Sequence, residues 1–204
     1  MFEALLAHDA GSALVGPAGS AACAPAGTRV CELPTASLPA TVIASIVYGI
    51  GLARAARPDV VLAGSGLTAP AAVTAARAAS AQPAVYLHGL DIVAPSRLYR
   101  LAWWPCIRQC RRVLVNSTNT RRLAMAAGVE ASRIHIVHPG TDLPTADPSA
   151  RARFRAAHGI ASHAPVLLSV GRLTTRKGLA EFVARAFPQI VAAHPDARLL
   201  VIGD

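Results

Sequence analysis

Short apolar runs that stop at glycine or at a small polar residue recur along the chain, with helix-like segments between them. No other feature of the sequence restricts the possible folds as strongly. Apolar runs without polar alternation are typical of parallel strands that are buried on both faces. The predicted strands span residues 60–63, 84–87, 113–115, 134–137, 166–170 and 199–202. Their alternation with helices predicts an α/β fold of doubly wound, Rossmann-like parallel sheets.

This alternation of strands and helices is interrupted over residues 141–165. The segment contains Pro144 and Pro148, and we predict a short helix in it that has Asp147 as its N-cap and ends at Gly159. We expect a first domain over residues 1–143, an interdomain connection over 144–165 and the opening of a second domain over 166–204, with a separate parallel sheet in each domain. Two strands cannot bury both faces of a parallel sheet, so we expect the second domain to be truncated.

The charge of the chain indicates the kind of partner it binds. There are 20 lysine and arginine residues against 11 aspartate and glutamate residues, a net charge of +9. Such an excess favours anionic partners. Since the arginines are spread along the chain and neither a zinc-finger spacing nor an aromatic RNA-binding motif occurs, we expect phosphorylated small molecules and anionic membrane surfaces, and no nucleic acid.

A basic, tryptophan-containing segment, SRLYRLAWWPCIRQCRR, spans residues 96–112. Two interpretations of this segment stay open. It could lie at an interface with anionic lipid, or it could pack its aromatic face against the protein and leave its arginines in solvent.

Two prolines lie inside predicted helices, where proline removes a hydrogen bond and disturbs the helix. Pro105 is expected to kink or restart the helix of residues 96–112. Pro188 lies within the apolar stripe of the helix after residue 178, so we expect a kink near residues 184–187.

A long apolar run over residues 38–53 also permits two interpretations. It approaches the roughly 20 residues that a membrane-spanning helix needs. Because it contains Pro39, Gly49 and Gly51, we favour a buried helix that leads into the next strand.

The cysteines and the first residues of the chain suit a reducing compartment. Cys106 and Cys110 have helical spacing, and the four cysteines include no Cys-x-x-Cys pair, so we interpret them as small buried side chains. The start MFEALLAHDAG lacks the features of a signal peptide. We expect a cytoplasmic protein that is peripheral, if membrane-bound, at the inner face of the cell membrane. The sequon at residues 116–118 is then accidental.

The basic turn GRLTTRKG, residues 171–178, lies between a predicted strand and an amphipathic helix. Unpaired N–H groups and the helix dipole favour an anion at such a place, and terminal glycines let the backbone approach it. Arg172 can present a planar fork to phosphate oxygens and Lys177 a compact charge. The alternative is a solvated basic turn, but the context favours a diphosphate site formed by Gly171, Arg172 and Lys177.

Five segments occur in the order and spacing of a known family. They are RPDVVLAG, YLHGLDI, RRVLVNSTNTRRLAMAAGV, IHIVHPGTDL and VLLSVGRLTTRKGLAEFVARAFPQIVAAHPDARLLVIGD. Together they resemble the retaining GT-B glycosyltransferases of family 4, over residues 57–204. The resemblance implies transfer of a mannose- or glucose-like hexose from a nucleoside-diphosphate sugar to a glycan or lipid acceptor, in cell-envelope polysaccharide biosynthesis. It implies no metal and no cofactor beyond the nucleotide sugar, which is a substrate.

Carried over to the matching positions, the resemblance implies that Arg172 and Lys177 hold the diphosphate of the donor. His88 matches a histidine near the transferred sugar and is the catalytic candidate. Its alternative is a structural histidine that is hydrogen-bonded in a loop. Gly89 and Asp91 belong to the possible substrate cleft, although Asp91 also suits a cap of the segment that follows it.

The chain departs from the family pattern at both ends. Family members open with a strand and a glycine-rich loop, whereas this chain begins with the helix-like FEALLAHDAG. They also carry a pair of glutamates well downstream of the point where this sequence stops. We therefore expect a fragment that is inactive by itself.

Two other classes stay open. One is a non-catalytic protein that binds anions or a membrane surface, which the segment of residues 96–112 supports. The other is a GT-B enzyme of different chemistry, such as a phosphorylase-like or epimerase-like protein, because one fold hosts several functions.

Overall fold

The computed structural model describes residues 11–34, 37–93, 96–141, 143 and 145–203. The chain divides into two compact units, Met1–Thr141 and Asp142–Asp204. The helix-like start expected for residues 2–11 falls outside the described residues except for Gly11.

The first unit alternates strands and helices after an initial pair of strands. Its elements are β1 (Ala13–Pro17), β2 (Arg29–Leu33), α1 (Leu38–Ala56), β3 (Val60–Ala63), α2 (Ala69–Ala78), β4 (Gln82–Leu87), α3 (Arg97–Gln109), β5 (Arg112–Val115), α4 (Thr118–Ala126) and β6 (Ile134–Ile136). Short 3-10 turns occur at Ser20–Cys23, Gly66–Thr68 and Ala131–Arg133.

The main sheet of this unit has the order β3-β4-β5-β6, and every pair in it is parallel. In the register, Leu87 pairs with Val115, and Val115 pairs with Ile136. The helices between successive strands make this parallel pairing possible, since parallel strands need a crossover connection. The α/β class and the parallel Rossmann-like sheet are therefore confirmed.

Strands β1 and β2 form a separate two-stranded parallel sheet. The sequence patterns did not predict either strand. Their residues, ALVGP and RVCEL, are interrupted by glycine, proline and charged side chains, so they lack the apolar run that identified the other strands.

The core lies between the main sheet and the helices α2, α3 and α4. Val85, Leu87, Val113 and Val115 are fully buried, as predicted for strands covered on both faces. Each such aliphatic side chain contributes about 1.5–3 kcal/mol when it is buried. Small alanines on α2, among them Ala76, are also fully buried and allow that helix to lie close to the sheet.

Helix α1 differs from the prediction of a buried helix. Ser37 caps it through a hydrogen bond from the Ala40 N–H to Oγ (3.4 Å), and α1 packs along α2. Only Ser45 and Ala53 are buried along it, whereas Ile43 and Val47 are 63% and 62% exposed. The expectation was wrong because much of the apolar surface of α1, including Ile43 and Val47, is exposed. The helix is long and apolar enough to cross a membrane by its 19 residues and mean hydropathy of 1.5, although soluble core helices also meet that test.

Helix α3 begins at Ser96, whose Oγ accepts a hydrogen bond from the Tyr99 N–H (3.2 Å). It runs continuously to Gln109 with Pro105 inside it. The expected restart of the helix at Pro105 is therefore wrong.

The second unit contains α5 (Ala150–Ala157), β7 (Val166–Val170), a 3-10 turn (Thr175–Lys177), α6 (residues 179–193) and β8 (Arg198–Ile202). Strands β7 and β8 pair in parallel and form a sheet of their own. The predicted assignment of the strands in residues 60–137 and 166–202 to two separate parallel sheets is thus confirmed.

Two helix details in this unit refine the sequence predictions. The N-cap of α5 is Ser149 and not Asp147, and the Asp147 carboxylate accepts hydrogen bonds from the Ser149 N–H (2.9 Å) and hydroxyl (2.7 Å). In α6, a π-helical piece, Phe182–Ala186, lies just before Pro188. This widened turn interrupts the regular helical hydrogen bonding where the kink near residues 184–187 was expected, and the kink itself stays a prediction.

Candidate functional site

The strands of the main sheet end at one edge, because all four are parallel. Gly64 follows β3, His88 follows β4, Asn116 follows β5 and His138 lies shortly after β6. Ligands of open α/β sheets bind at this carboxyl edge. We therefore expect a ligand of the first unit to bind at this edge.

His88 is exposed, but hydrogen bonds fix its position. Its ring Nε2 lies 2.9 Å from the carbonyl oxygen of Gly64, and its ring stands edge-on to that of Tyr86 at 4.7 Å between centroids. A carbonyl oxygen only accepts hydrogen bonds, so Nε2 carries the proton and Nδ1 is the acceptor in the neutral ring. The ring thus has the contact expected of a structural histidine, and this contact leaves Nδ1 as the acceptor of the neutral ring.

Asp91 joins the loops that follow β3 and β4. Its Oδ2 accepts hydrogen bonds from the N–H of Gly66 (3.0 Å) and from the N–H of His88 (3.2 Å). A Cβ on Gly66 would lie 2.7 Å from the Asp91 Cβ, so this approach requires glycine. Both of these donors precede Asp91 in the chain, and a cap of the segment that follows Asp91 stays a prediction.

Tyr99 lies beside this carboxylate. A Cβ on Gly66 would stand 3.2 Å from the Tyr99 hydroxyl. Burial, together with the negative charge of Asp91, raises the pKa of Tyr99 to about 12. The phenol is therefore neutral at physiological pH and remains a hydrogen-bond donor.

Gly89 allows the main chain to turn sharply after His88. Its φ of 95° lies in the left-handed region, and a Cβ there would approach the Thr120 hydroxyl to 3.1 Å. Glycine is favoured at this position by both the backbone conformation and the space.

Asn116 connects the strand ends, and the sequence analysis did not identify it as a site residue. Its Nδ2 donates to the carbonyl oxygen of His88 (3.3 Å) and its Oδ1 accepts from the Thr120 hydroxyl (2.7 Å). Its own carbonyl oxygen lies 3.1 Å from Nδ1 of His138. Only its position at the end of a predicted parallel strand could have drawn attention to it.

Cys106 and Cys110 lie in and just after α3. Cys110 is fully buried and Cys106 partly so. Burial raises the pKa of both thiols, that of Cys110 to about 12. The thiols stay protonated at neutral pH and behave as small apolar side chains.

The basic turn of the second unit has a defined backbone. Its N–H groups at Lys177 and Gly178 donate to the carbonyl oxygens of Thr174 (2.9 Å) and Thr175 (3.0 Å), so they are engaged within the turn. Arg172 and Lys177 are exposed. An anion here would depend mainly on these two side chains and on the first N–H groups of α6.

Gly171 and Lys177 come together in this turn. A Cβ on Gly171 would stand 4.0 Å from the Lys177 Cε, and the φ of Gly171 is 148°. The Gly171 N–H donates to the Ile202 carbonyl oxygen (2.9 Å). A Cβ on Gly203 would meet the Gly171 oxygen at 1.9 Å, so glycine at position 203, which the sequence analysis did not single out, is required where β7 and β8 end.

Among the described residues, no group of three histidine, cysteine, aspartate or glutamate side chains could hold a metal ion. Three of the proposed site residues, His88, Gly89 and Asp91, lie together in the first unit. Gly171, Arg172 and Lys177 lie together in the second unit.

A comparison with protein families gives one match that covers most of the first unit. Residues 12–144 match the model described as Glycosyltransferase Family 4. The match includes His88, Asp91 and Asn116 and ends before the basic turn.

Curated relatives also match parts of the chain. A D-inositol 3-phosphate glycosyltransferase from Mycobacterium sp. (strain KMS) is 36% identical over 98 residues, which are 48% of this chain and 21% of the relative. A GDP-mannose-dependent alpha-(1-6)-phosphatidylinositol monomannoside mannosyltransferase from Mycolicibacterium smegmatis is 34% identical over 125 residues, or 55% of this chain and 32% of the relative. The chain thus matches between a fifth and a third of the length of these relatives.

Solved structures resemble the fold at low sequence identity. The Anabaena protein HepE in complex with UDP and glucose has a TM-score of 0.66 at 17% identity, over 86% of this chain and 48% of that chain. The UDP-GlcNAc 2-epimerase from Methanocaldococcus jannaschii has a TM-score of 0.52 at 15% identity, over 88% and 52%. These similarities concern the fold alone.

Proposed function

The chain belongs to glycosyltransferase family 4, and on that premise we propose that it is part of a retaining hexosyltransferase. The enzyme would transfer a mannose- or glucose-like residue from a nucleoside-diphosphate sugar to a glycan or lipid acceptor. The family match over residues 12–144 is the observation that carries this proposal. It also favours transfer over epimerase-like or phosphorylase-like chemistry and over a non-catalytic protein.

The proposed donor contacts lie in the basic turn. Arg172 and Lys177 would bind the diphosphate, with Gly171 allowing the backbone to come close. When the sugar leaves, negative charge grows on the diphosphate, and fixed positive charges stabilise that charge without reorganisation. In this proposal the protein itself supplies the positive charge. The nucleotide sugar is a substrate, and the reaction needs no cofactor.

The proposed sugar contacts lie at the carboxyl edge of the main sheet. His88 is the catalytic candidate, because its ring is held by Gly64 with Nδ1 left as an acceptor. Gly89 permits the turn, and Asp91 fixes the main chain of His88. These residues would position the transferred sugar or the acceptor hydroxyl next to the imidazole.

The proposed acceptor is a lipid or a polysaccharide precursor of the cell envelope. The relative from Mycolicibacterium smegmatis acts, by its name, on a phosphatidylinositol monomannoside, which is a lipid. A basic chain of net charge +9 suits an acceptor on an anionic membrane. We therefore propose a cytoplasmic protein that works at the inner face of the cell membrane.

The division of the enzyme follows from this proposal. Residues 1–143 would form the acceptor-side domain, residues 144–165 the connection, and residues 166–204 the opening of the donor-binding domain. The remaining part of the donor-binding domain would come from the larger share of the relatives' length that this chain does not match.

Titration of UDP and of GDP into the protein tests the donor site. The complete natural protein is used, whether that is this chain or a longer one that contains it. Arg172→Ala and Lys177→Ala should each weaken diphosphate binding roughly ten- to hundredfold, because a charge-assisted hydrogen bond contributes about 1.5–3 kcal/mol. Arg176→Ala is the matched control, since Arg176 is an exposed cation of the same turn with no assigned role. Equal affinity in all three variants and the wild type would remove the assignment.

A further inference from the structure

The outer face of α3 carries a continuous stripe of exposed apolar side chains. Leu98, Leu101, Ala102 and Pro105 are all exposed, and their spacing of i, i+3, i+4 and i+7 places them on one helix face. Leu98 is 71% and Leu101 77% exposed. Two leucines this exposed on one face indicate a surface that contacts something other than water.

The inner face of α3 is fixed against the protein. Tyr99 and Trp103 stack at 5.2 Å between ring centroids, and the Trp103 indole N–H donates to the Leu67 carbonyl oxygen (2.8 Å). Ile107 is 1% exposed. Since these contacts set the rotation of the helix about its axis, the leucines cannot turn inward without breaking them.

The charge around the stripe is of one sign. Arg97 and Arg100 are exposed beside the leucines, and Arg111 and Arg112 follow the end of the helix. Residues 96–112 contain no aspartate or glutamate. Leucines on one side, arginines beside them and no acidic residue are the features of helices that lie in the interface of anionic membranes.

We propose that α3 is the membrane-docking helix of this protein and lies flat on an anionic phospholipid surface. Leu98, Leu101 and Pro105 enter the boundary between headgroups and acyl chains, while Arg97 and Arg100 bind lipid phosphates. The choice of a lipid surface over a protein partner follows from the charge of the segment. It rests on the proposed function only in that a lipid acceptor would bring the enzyme to a membrane.

The position of α3 connects this docking surface with the candidate site. Tyr99, on the inner face, places its hydroxyl next to Gly66, whose N–H donates to the Asp91 carboxylate. Asp91 in turn accepts from the N–H of His88. The docking helix is therefore linked through Tyr99 to the loops of Asp91 and His88, where a lipid-linked acceptor hydroxyl would be needed.

Co-sedimentation of the whole chain with vesicles tests the proposal, using phosphatidylglycerol/phosphatidylcholine vesicles and pure phosphatidylcholine vesicles, without donor or acceptor. The wild type should bind the anionic vesicles and not the zwitterionic ones. Leu98→Glu/Leu101→Glu should lower this binding at least about tenfold, since two apolar anchors and two units of net positive charge are lost. Higher salt should weaken the wild-type binding, because salt screens the arginines.

The matched control is Ile43→Glu/Val47→Glu on the outer face of α1. These side chains are also apolar and nearly as exposed, 63% and 62%, and the change in charge is the same. Binding of this variant should stay within about threefold of the wild type, because general electrostatic attraction is lowered equally in both variants. Circular dichroism verifies that both variants fold. A third variant, Arg97→Gln/Arg100→Gln, keeps the apolar stripe. It should bind the anionic vesicles more weakly than the wild type, and its binding should depend less on salt.

Several outcomes would overturn the docking surface. They are absence of vesicle binding by the wild type, equal binding to both vesicle types, and equal losses in the α1 and α3 variants. Concentration-dependent dimers that only the α3 variant abolishes, with no vesicle binding, would assign the stripe to a second copy of the chain instead. Because no nucleotide sugar is present, these results are independent of the UDP and GDP titration that tests glycosyl transfer.

Discussion

At the scale of single residues, Asn116 holds the carboxyl edge of the main sheet together. It contacts the main chain of His88, the hydroxyl of Thr120 and the ring of His138, and its N–H donates to the Leu87 carbonyl oxygen (3.3 Å). The ends of three neighbouring strands thus meet at this one residue, through its side chain and its main chain. Because the Asn116 amide joins the main chain of His88 to the Thr120 hydroxyl, the main-chain position of His88 depends on residues that would not touch a substrate.

The buried hydroxyl of Thr120, which is 2% exposed, provides a test of this network. Thr120→Val keeps the shape of the side chain but leaves Oδ1 of Asn116 without this donor. We expect a loss of about 1–3 kcal/mol in the free energy of unfolding, the cost of an unsatisfied polar group. Urea denaturation measures it, with Thr118→Val on the exposed surface of the same helix as the control. Equal stability of the two variants would contradict a structural role for the network.

The sequence could predict some of these site residues and not others. His88 and Asp91 were found because the segment YLHGLDI resembles a family motif, and Arg172 and Lys177 because glycines and cations surround a turn. Asn116 was interpreted only as part of an accidental sequon. Its contacts join loops after neighbouring strands, and such contacts depend on strand register, which periodicity alone does not specify.

At the scale of elements, patterns were informative where a strand is an uninterrupted or nearly uninterrupted apolar run. The strands of the main sheet were predicted because each is largely an apolar run, and the predicted ends agree with the structure to within two residues. Strands β1 and β2 were not predicted because they lack such a run. Helix α1 was predicted as a helix but with the wrong environment, since Ile43 and Val47 are exposed and only Ser45 and Ala53 are buried along it. A long apolar segment can be predicted to form a helix, but where apolar residues lie all around it the sequence does not show which face is covered.

The contrast between the centre and the edge of the main sheet can be measured with one kind of substitution. Val113, on β5, is fully buried, whereas Val60, on the edge strand β3, is 50% exposed. Val113→Ala should lower the free energy of unfolding by about 2 kcal/mol or more, through lost burial and a residual cavity. Val60→Ala should change it by about 0.5 kcal/mol or less. Thermal or urea unfolding of both variants measures this difference in the free energy of unfolding. Similar losses in the two variants would contradict the assignment of β5 to the core.

At the scale of the whole molecule, the two units differ in how well their sheets are covered. The strands of the main sheet carry side chains with no exposure, among them Val85 and Val115. In the second unit, Leu168, Val170 and Ile202 are 61%, 68% and 56% exposed. Parallel sheets are normally covered on both faces, and a pair of strands is marginal by itself. The basic turn is therefore attached to the less well covered of these two sheets.

This difference leads to the prediction that the chain as given does not transfer sugar by itself. The matched relatives share only 21% and 32% of their length with it, and the turn that carries Arg172 and Lys177 leaves a two-stranded sheet with exposed apolar side chains. A catalytic contact must be held within about 0.5 Å to be effective, and a sheet that is so little covered cannot hold the turn that tightly. Incubation of the purified chain with a panel of nucleotide sugars should release no nucleoside diphosphate above a control without protein. Turnover that both Arg172→Ala and Lys177→Ala abolish would instead establish a complete catalyst, because loss of activity in those two variants would tie the reaction to this turn and not to a contaminating enzyme.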